Sequence, residues 1–200
     1  MARNQTSYMI LGGLSIQPNL SGYDLRKGIE SSVSYFWRES YGQIYPTLKR
    51  LAAEGLIVAG KSDSRSRKGR QVYSLTEAGR ACLREWLAVP FKNDPPRNEF
   101  LLKLFFGREA APGVSIAHVQ DLQERNRRML ATLLALETMA KTEASQNPHQ
   151  PFWLLTISLG TALTRAALEW GESALAKLAE MEAAAAPRPR SARRRKPRVN

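Results

Sequence analysis

The apolar pattern of this chain changes period at Gly55, and that change limits the fold more than any other feature. Before it, Ile44, Leu48 and Leu51 recur at helical spacing within YGQIYPTLKRLAAEGLI, residues 41–57. After it, LIVAG (56–60) and QVYSL (71–75) read as short strands joined by the basic loop KSDSRSRKGR. LTEAGRACLREWLAV then resumes helical spacing, with Thr76 as its cap and Pro90 as its end. A helix followed by a β-hairpin and a second helix leaves few small architectures open.

The residues upstream narrow the choice. Thr6 or Ser7 is expected to cap a first helix carrying Met9, Ile10 and Leu14, broken at PNL (18–20). Ser21 stands three residues before Asp24, a capping-box-like start, and Leu25, Ile29 and Val33 share one face of the helix that follows. A short aromatic run, SYFW (34–37), comes next, and Trp37 and Trp86 are expected in the core. Ser40 with Gln43 repeats the S-x-x-Q start, so a third helix spans residues 41–54 and Gly55 stops it. Three helices, a hairpin and a further helix make a helix-turn-helix with a wing.

The second half is different in kind. FKNDPPRNEF (91–100) reads as a linker, and NEFLLKLFFG as a short apolar helix. A long helix is expected over about 114–145, with Val119, Leu122, Met129, Leu133, Leu136 and Met139 at mostly three- and four-residue steps. QNPHQP breaks it before another helix over 152–185. So few helices cannot complete a bundle, and a second copy of the chain is the simple supply of a packing surface. The expected class is α+β, mostly α: a winged helix-turn-helix domain over 1–90, a linker over 91–100, a helical dimerisation domain over 101–186 and a basic tail over 187–200. The tail has no apolar stretch and is expected to be disordered. Leu122, Met129, Leu133, Leu136, Trp153, Leu163 and Trp170 are the dimerisation candidates. Trp153 and Trp170 admit two readings, packing at a dimer seam or a pocket between subunits for a planar effector.

Charge is unevenly spread within a net +12. Residues 1–90 carry thirteen Lys/Arg against seven Asp/Glu, residues 91–186 ten against eleven, and residues 187–200 seven against none. Two basic regions therefore flank a neutral one, which points to a polyanion or to solvated faces. With Ile44, Leu48 and Leu51 turned inward, Gly42, Gln43, Pro46, Lys49, Arg50 and Ala53 face outward, with Tyr45 and Thr47 on the flanks. That surface has low relief and a few donors, and a major groove about 12 Å wide admits such a helix. Pro46 removes a helical hydrogen bond, which predicts irregular first turns. The hairpin tip holds Lys61, Arg65, Arg67, Lys68 and Arg70 against one acid, Asp63, a bias suited to a phosphate backbone.

Other chemistry is hard to build from this composition. His118 and His149 lack ligand company, and the pairing of His118 with Asp121 reads as solvated surface, so no metal or other cofactor is expected. The single cysteine, Cys82, permits no internal disulfide and reads as a small core residue. No phosphate-binding glycine loop or nucleophile elbow is present, so no enzyme is expected. The N-terminus has neither a secretory signal nor a membrane span, and a cytoplasmic protein is expected. The tail lacks a hydrophobic anchor, so any membrane attachment would not be stable.

The fragments GYDL, YGQIYPTLKRLAAEGLI and GRQVYSLTEAGR, in that order, resemble the DNA-binding domain of PadR-like transcriptional regulators over roughly residues 7–90. FLLKLFFG and AALEWGESALAKL resemble the helical C-terminal domain of the longer, virulence-activator-type members. The resemblance implies a winged-helix homodimer on double-stranded DNA, usually a repressor on a palindromic operator and often relieved by a small molecule. Carried onto this chain, it makes residues 41–54 the recognition helix, with Tyr41, Gln43, Pro46, Thr47, Lys49 and Arg50 as groove and phosphate candidates. Tyr23 and Tyr45 would pack at the helix junction and offer a hydroxyl. Arg65, Arg67, Lys68 and Arg70 would follow the phosphates, Gly69 would let the wing turn, and Tyr73 and Leu75 would anchor its return strand. The basic tail is no part of that pattern. The alternative is a protein-interaction adaptor in which the winged helix is only a scaffold.

Overall fold

The computed structural model describes residues 4–37, 41–61, 70–91 and 97–185. The chain divides into two compact units, one of Met1–Pro95 with Met139–Leu154, the other of Pro96–Thr138 with Leu155–Asn200.

In the first unit, α1 (Gln5–Ile16), α2 (Gly22–Ser32) and α3 (Ile44–Ala53) precede β1 (Ile57–Lys61), β2 (Gln71–Leu75) and α4 (Glu77–Ala88). The winged helix-turn-helix expected from the sequence is the fold observed. The apolar faces meet in one core of Ile10, Leu11, Leu14, Leu25, Ile29, Ile44, Leu48, Leu51, Leu56, Ile57, Tyr73 and Leu83. Each stripe has the helical spacing that places it on a single face.

The helix ends are fixed locally. Ser21 and Asp24 form a complete capping box, the Ser21 hydroxyl accepting from the Asp24 N–H at 3.2 Å and the Asp24 carboxylate accepting from the Ser21 N–H at 3.0 Å. The α1 cap is Asn4, not Thr6 or Ser7; those two lie within the first turn and are buried. Gly55 closes α3 with φ +70°. Its N–H donates to Ala52 and that of Leu56 to Leu51, the pairing that terminates a helix on a left-handed residue.

The strands pair antiparallel, Ile57 opposite Leu75 through Lys61 opposite Gln71. β1 begins one residue later than its apolar run, and β2 occupies the expected residues. One pairing was not legible: Leu20 bridges Tyr73, with N–H···O contacts of 3.2 and 2.9 Å, which adds a third, one-residue strand. Asn19 makes the turn into it at φ +59°, and its side-chain oxygen accepts from the Ser74 hydroxyl at 2.8 Å. Asparagine tolerates that conformation through such local bonds.

In the second unit, α5 (Glu99–Phe105) is followed by α6 (Val114–Thr142) and α7 (Gln150–Ala185), whose ends at 139–154 belong to the first unit. The two long helices run antiparallel: the Gly113 N–H donates to Glu182 at 2.6 Å, and the Gln123 amide donates to the Leu168 carbonyl at 3.4 Å. Gly171 permits that approach, since a Cβ there would stand 2.7 Å from Gln123 Cγ. Few apolar side chains are buried in this unit, Val119, Leu133 and Ile157 among them. Leu101, Leu102, Phe105, Leu155, Leu159 and Leu163 stay exposed.

Candidate nucleic-acid interface

The outward face of α3 is built by what sits beneath it. Ile44, Leu48 and Leu51 are buried, which turns Gln43, Tyr45, Pro46, Lys49, Arg50 and Ala53 to the exposed side. A 3₁₀ turn over Tyr41–Gln43 leads into the α-helix, so the start is irregular as expected, for a different reason. Pro46 is the third helical residue, within the first turn, where backbone N–H groups have no intrahelical acceptor in any case. The proline therefore costs no helical hydrogen bond and leaves a flat, donor-poor spot between Gln43 and Lys49. Gln43 occupies the N-cap position without a side-chain capping bond, so its amide is not engaged in capping. Ser40, the expected cap, lies outside the described residues, and of Tyr41 only the backbone is described.

Thr47 departs from the expectation. It is 1% exposed, with its hydroxyl buried and no hydrogen-bond partner among the described residues. Such a side chain cannot meet DNA from this position; the flank assigned from a helical wheel is covered by the packing of its neighbours. Arg50 is 47% exposed, but its Nη2 donates to Asn4 Oδ1 at 3.1 Å and to the Ser7 hydroxyl at 3.0 Å.

Tyr23 and Tyr45 are both exposed over about half their surface. The Tyr45 ring lies over Gly22, where a Cβ would stand 2.6 Å from Cε1, so a side chain at that position would push the ring aside. Tyr73, buried below, has its phenol pKa raised by burial and then by the Tyr45 hydroxyl. Lys61 and Arg70 leave the ends of the two strands exposed at the base of the wing. Arg65, Arg67, Lys68 and Gly69 lie outside the described residues.

The remaining candidates separate by unit. Leu122, Met129, Leu136 and Trp153 are half-buried, Leu163 is exposed, and Trp170 meets Phe100 edge-on with ring centres 5.9 Å apart. Leu133 is 0% exposed within its own chain and belongs to the protomer interior instead of a seam. Periodicity cannot tell those two destinations apart. Trp86 is also not core: it stacks on Tyr8 at 4.5 Å while 40% exposed. Trp37 is half-buried.

His118 and Asp121 border a shallow cleft of about 230 Å³ with Glu99, Phe100, Lys103, Leu122 and Arg125. Its charges pair off, Lys103 with Glu99 at 2.8 Å and Arg125 with Asp121 at 2.5 Å. The hydrogen bond from Lys103, then its charge, holds the Glu99 carboxyl below its usual pKa. Among the described residues no three His, Cys, Asp or Glu side chains gather as metal ligands. No described helix is long and apolar enough to cross a membrane.

Sequence reasoning missed Asn4 and Gly22. Asn4 could have been found as a strong N-cap type just ahead of a helical run. The contact between Gly22 and Tyr45 has no local signal.

Two family models match the chain: the transcriptional regulator PadR-like family over residues 10–85, and the virulence activator alpha C-terminal family over residues 96–179. The negative transcriptional regulator PadR of Bacillus subtilis is 29% identical over 181 residues, covering 86% of this chain and 96% of that protein. The crystal structure of B. subtilis PadR with operator DNA superposes with a TM-score of 0.74 at 26% identity, covering 88% of this chain and 99% of the other. The structure of the same regulator with p-coumaric acid gives 0.70 at 25% identity, covering 88% and 98%.

Proposed function

The chain belongs to the PadR-like family of transcriptional regulators, and from that premise we propose that it is a cytoplasmic homodimeric repressor that reads a palindromic operator with α3. The observation that carries this reading is the exposed face of α3. Gln43, Tyr45, Pro46 and Lys49 stand out from a helix whose other side is buried, and Lys61 and Arg70 mark the root of a basic wing beside it. A narrow helix with small and polar outward residues fits a major groove, and a basic hairpin fits the phosphates next to it.

In this reading residues 1–90 form the DNA-binding module, 91–100 a linker and 101–186 the dimerisation module. Gln43 and Lys49 reach base edges, while Tyr23, Tyr41, Tyr45 and Pro46 border the groove. Arg65, Arg67, Lys68 and Arg70 follow the backbone, and the seven positive charges of residues 187–200 add affinity without fixing register. The protein binds and releases DNA and catalyses no reaction. B. subtilis PadR was crystallised with p-coumaric acid, and a small aromatic effector that relieves repression is proposed for this chain too.

The test is footprinting of the full chain on the DNA upstream of its own coding sequence, backed by selection from a random duplex pool. A protected inverted repeat, recovered by both routes, is the expected result. Uniform protection at all positions would leave a non-specific binder. Gln43→Ala should then reduce the preference for the selected duplex over a scrambled one by about 1–3 kcal/mol, the discrimination carried by a good base contact. Equal loss on both duplexes would make Gln43 a backbone contact.

A further inference from the structure

Arg50 stands on the exposed side of α3, yet its guanidinium is committed elsewhere. Nη2 donates to Asn4 Oδ1 at 3.1 Å and to Ser7 Oγ at 3.0 Å, while Nε lies 3.9 Å from Oε1 of Glu54, the C-cap of α3. Asn4 Oδ1 is the capping acceptor of α1, taking the Ser7 N–H at 3.2 Å and the Ser7 hydroxyl at 2.8 Å. The first turn of α1 is therefore fastened to the middle of α3 by one charged side chain. Ser7 is fully buried at the junction, so the clasp is anchored in the core and not hung from a loose end.

A second pin acts one turn earlier. Tyr45 lies over Gly22, and the space between α2 and α3 is too tight for a Cβ. A helix held only by an apolar stripe keeps some freedom to roll about its axis, because hydrophobic contact is not directional. Two pins on opposite flanks, one to α2 and one to α1, remove that freedom. The roll of α3 sets which side chains aim outward, and displacements of a few tenths of an ångström matter where recognition is by paired hydrogen bonds.

We propose that Arg50 is a positioning residue for operator recognition: with Asn4 and Ser7 it fixes the roll of α3, so that the start of α1, which bears no base-reading role, governs sequence discrimination. This rests on the reading of α3 as the recognition helix. It also separates Arg50 from Lys49, its neighbour in sequence: Lys49 acts by contact, Arg50 through the aim of Gln43 and Lys49.

The test measures binding of the full chain to a duplex enriched from a random pool and to a scrambled duplex of equal length, each over a salt series. The variants are Arg50→Gln, Asn4→Ser and the pair. Serine still caps α1 but is too short to reach the guanidinium, so the fold is kept while the clasp is broken. Each single variant should narrow the ratio of the two affinities roughly fivefold or more, and the double variant should do no worse than Arg50→Gln alone. The slope of log affinity against log salt should stay at the wild-type value. A slope lowered by about 0.9 in Arg50→Gln, with Asn4→Ser unchanged, would make Arg50 a phosphate contact and overturn the proposal. So would an unchanged ratio in both variants with only a lower melting temperature, since that is a purely structural bond. Failure of the wild type to distinguish the two duplexes would overturn the recognition-helix reading itself, and the proposal with it.

Discussion

A Cβ on Gly79 would collide with the carbonyl oxygen of Leu56 and stand 2.8 Å from Leu75 Cδ1. The collision is with backbone, which cannot turn aside. Thr76, three residues earlier, shows why the approach is so close. Its N–H donates to the same Leu56 oxygen at 3.1 Å, its hydroxyl lies 2.8 and 2.9 Å from the Gly55 and Leu56 oxygens, and it caps α4 by accepting from Gly79 N–H at 3.1 Å. The T-x-x-G spacing is thus one device, a cap and a gap, that seats α4 on the end of the hairpin. Gly79→Ala should lower unfolding free energy by about 1–3 kcal/mol in denaturant titration, as overpacking does; a loss near zero would mean the seat can shift. Tyr73 gives a second test at this scale. Its phenol pKa is raised above the ordinary 10.0 by burial, so the folded state holds the proton more tightly than the unfolded chain. The resulting stabilisation is present below that ordinary pKa and is lost as pH rises through the folded value. Melting temperature should therefore fall on the alkaline side, and Tyr73→Phe should flatten the fall; an identical alkaline limb in both proteins would refute the assignment.

At the scale of elements, the parts read most directly from sequence were those whose stabilising contacts are local. The Ser21–Asp24 box, the Thr76 cap and the Gly55 stop each depend on neighbours a few residues away, and each is where the residues placed it. What escaped depends on contacts across long stretches of chain: the Leu20–Tyr73 bridge and the Arg50 clasp to Asn4. A helical wheel assigns direction but not what arrives from elsewhere to cover it. The candidate interface shares this split, since the outward side of α3 follows from its stripe while the engagement of Arg50 does not. The wing belongs to this scale because its contribution is collective. Arg65, Arg67, Lys68 and Arg70 carry four positive charges within six residues, and each phosphate contact they make adds about 0.9 to the salt slope. Replacing all four with glutamine should flatten log affinity against log salt on operator and scrambled duplexes alike. An unchanged slope would return the tip to a solvated loop.

For the whole molecule the telling fact is how little the second unit buries. Leu155, Leu159 and Leu163 follow one another at four-residue steps along α7 and are 66%, 62% and 63% exposed. That recurrence places them along one side of the helix as a ladder of large side chains. Covering such a side chain fully gains about 1.5–3 kcal/mol, so leaving three in water forgoes a sizeable stabilisation. A second copy supplies the cover at no extra chain length, and two-fold symmetry lets one ladder meet its own image. The same symmetry matches a palindromic operator, whose half-sites lie about 34 Å apart for one helical turn. Leu159→Asp should therefore do two things together. A carboxylate in a dry seam would be unpaired, so sedimentation at micromolar concentration should shift from dimer to monomer. Operator affinity should drop with it, because each monomer then binds a single half-site and the gain from linked binding is gone. Val58→Asp, an equally exposed apolar position on the outer face of the wing, supplies the control and should leave the sedimentation pattern unchanged. A Leu159→Asp protein that stays dimeric would place the seam on another face of the second unit, while a wild-type chain that sediments as a monomer would remove the dimer from the reading altogether.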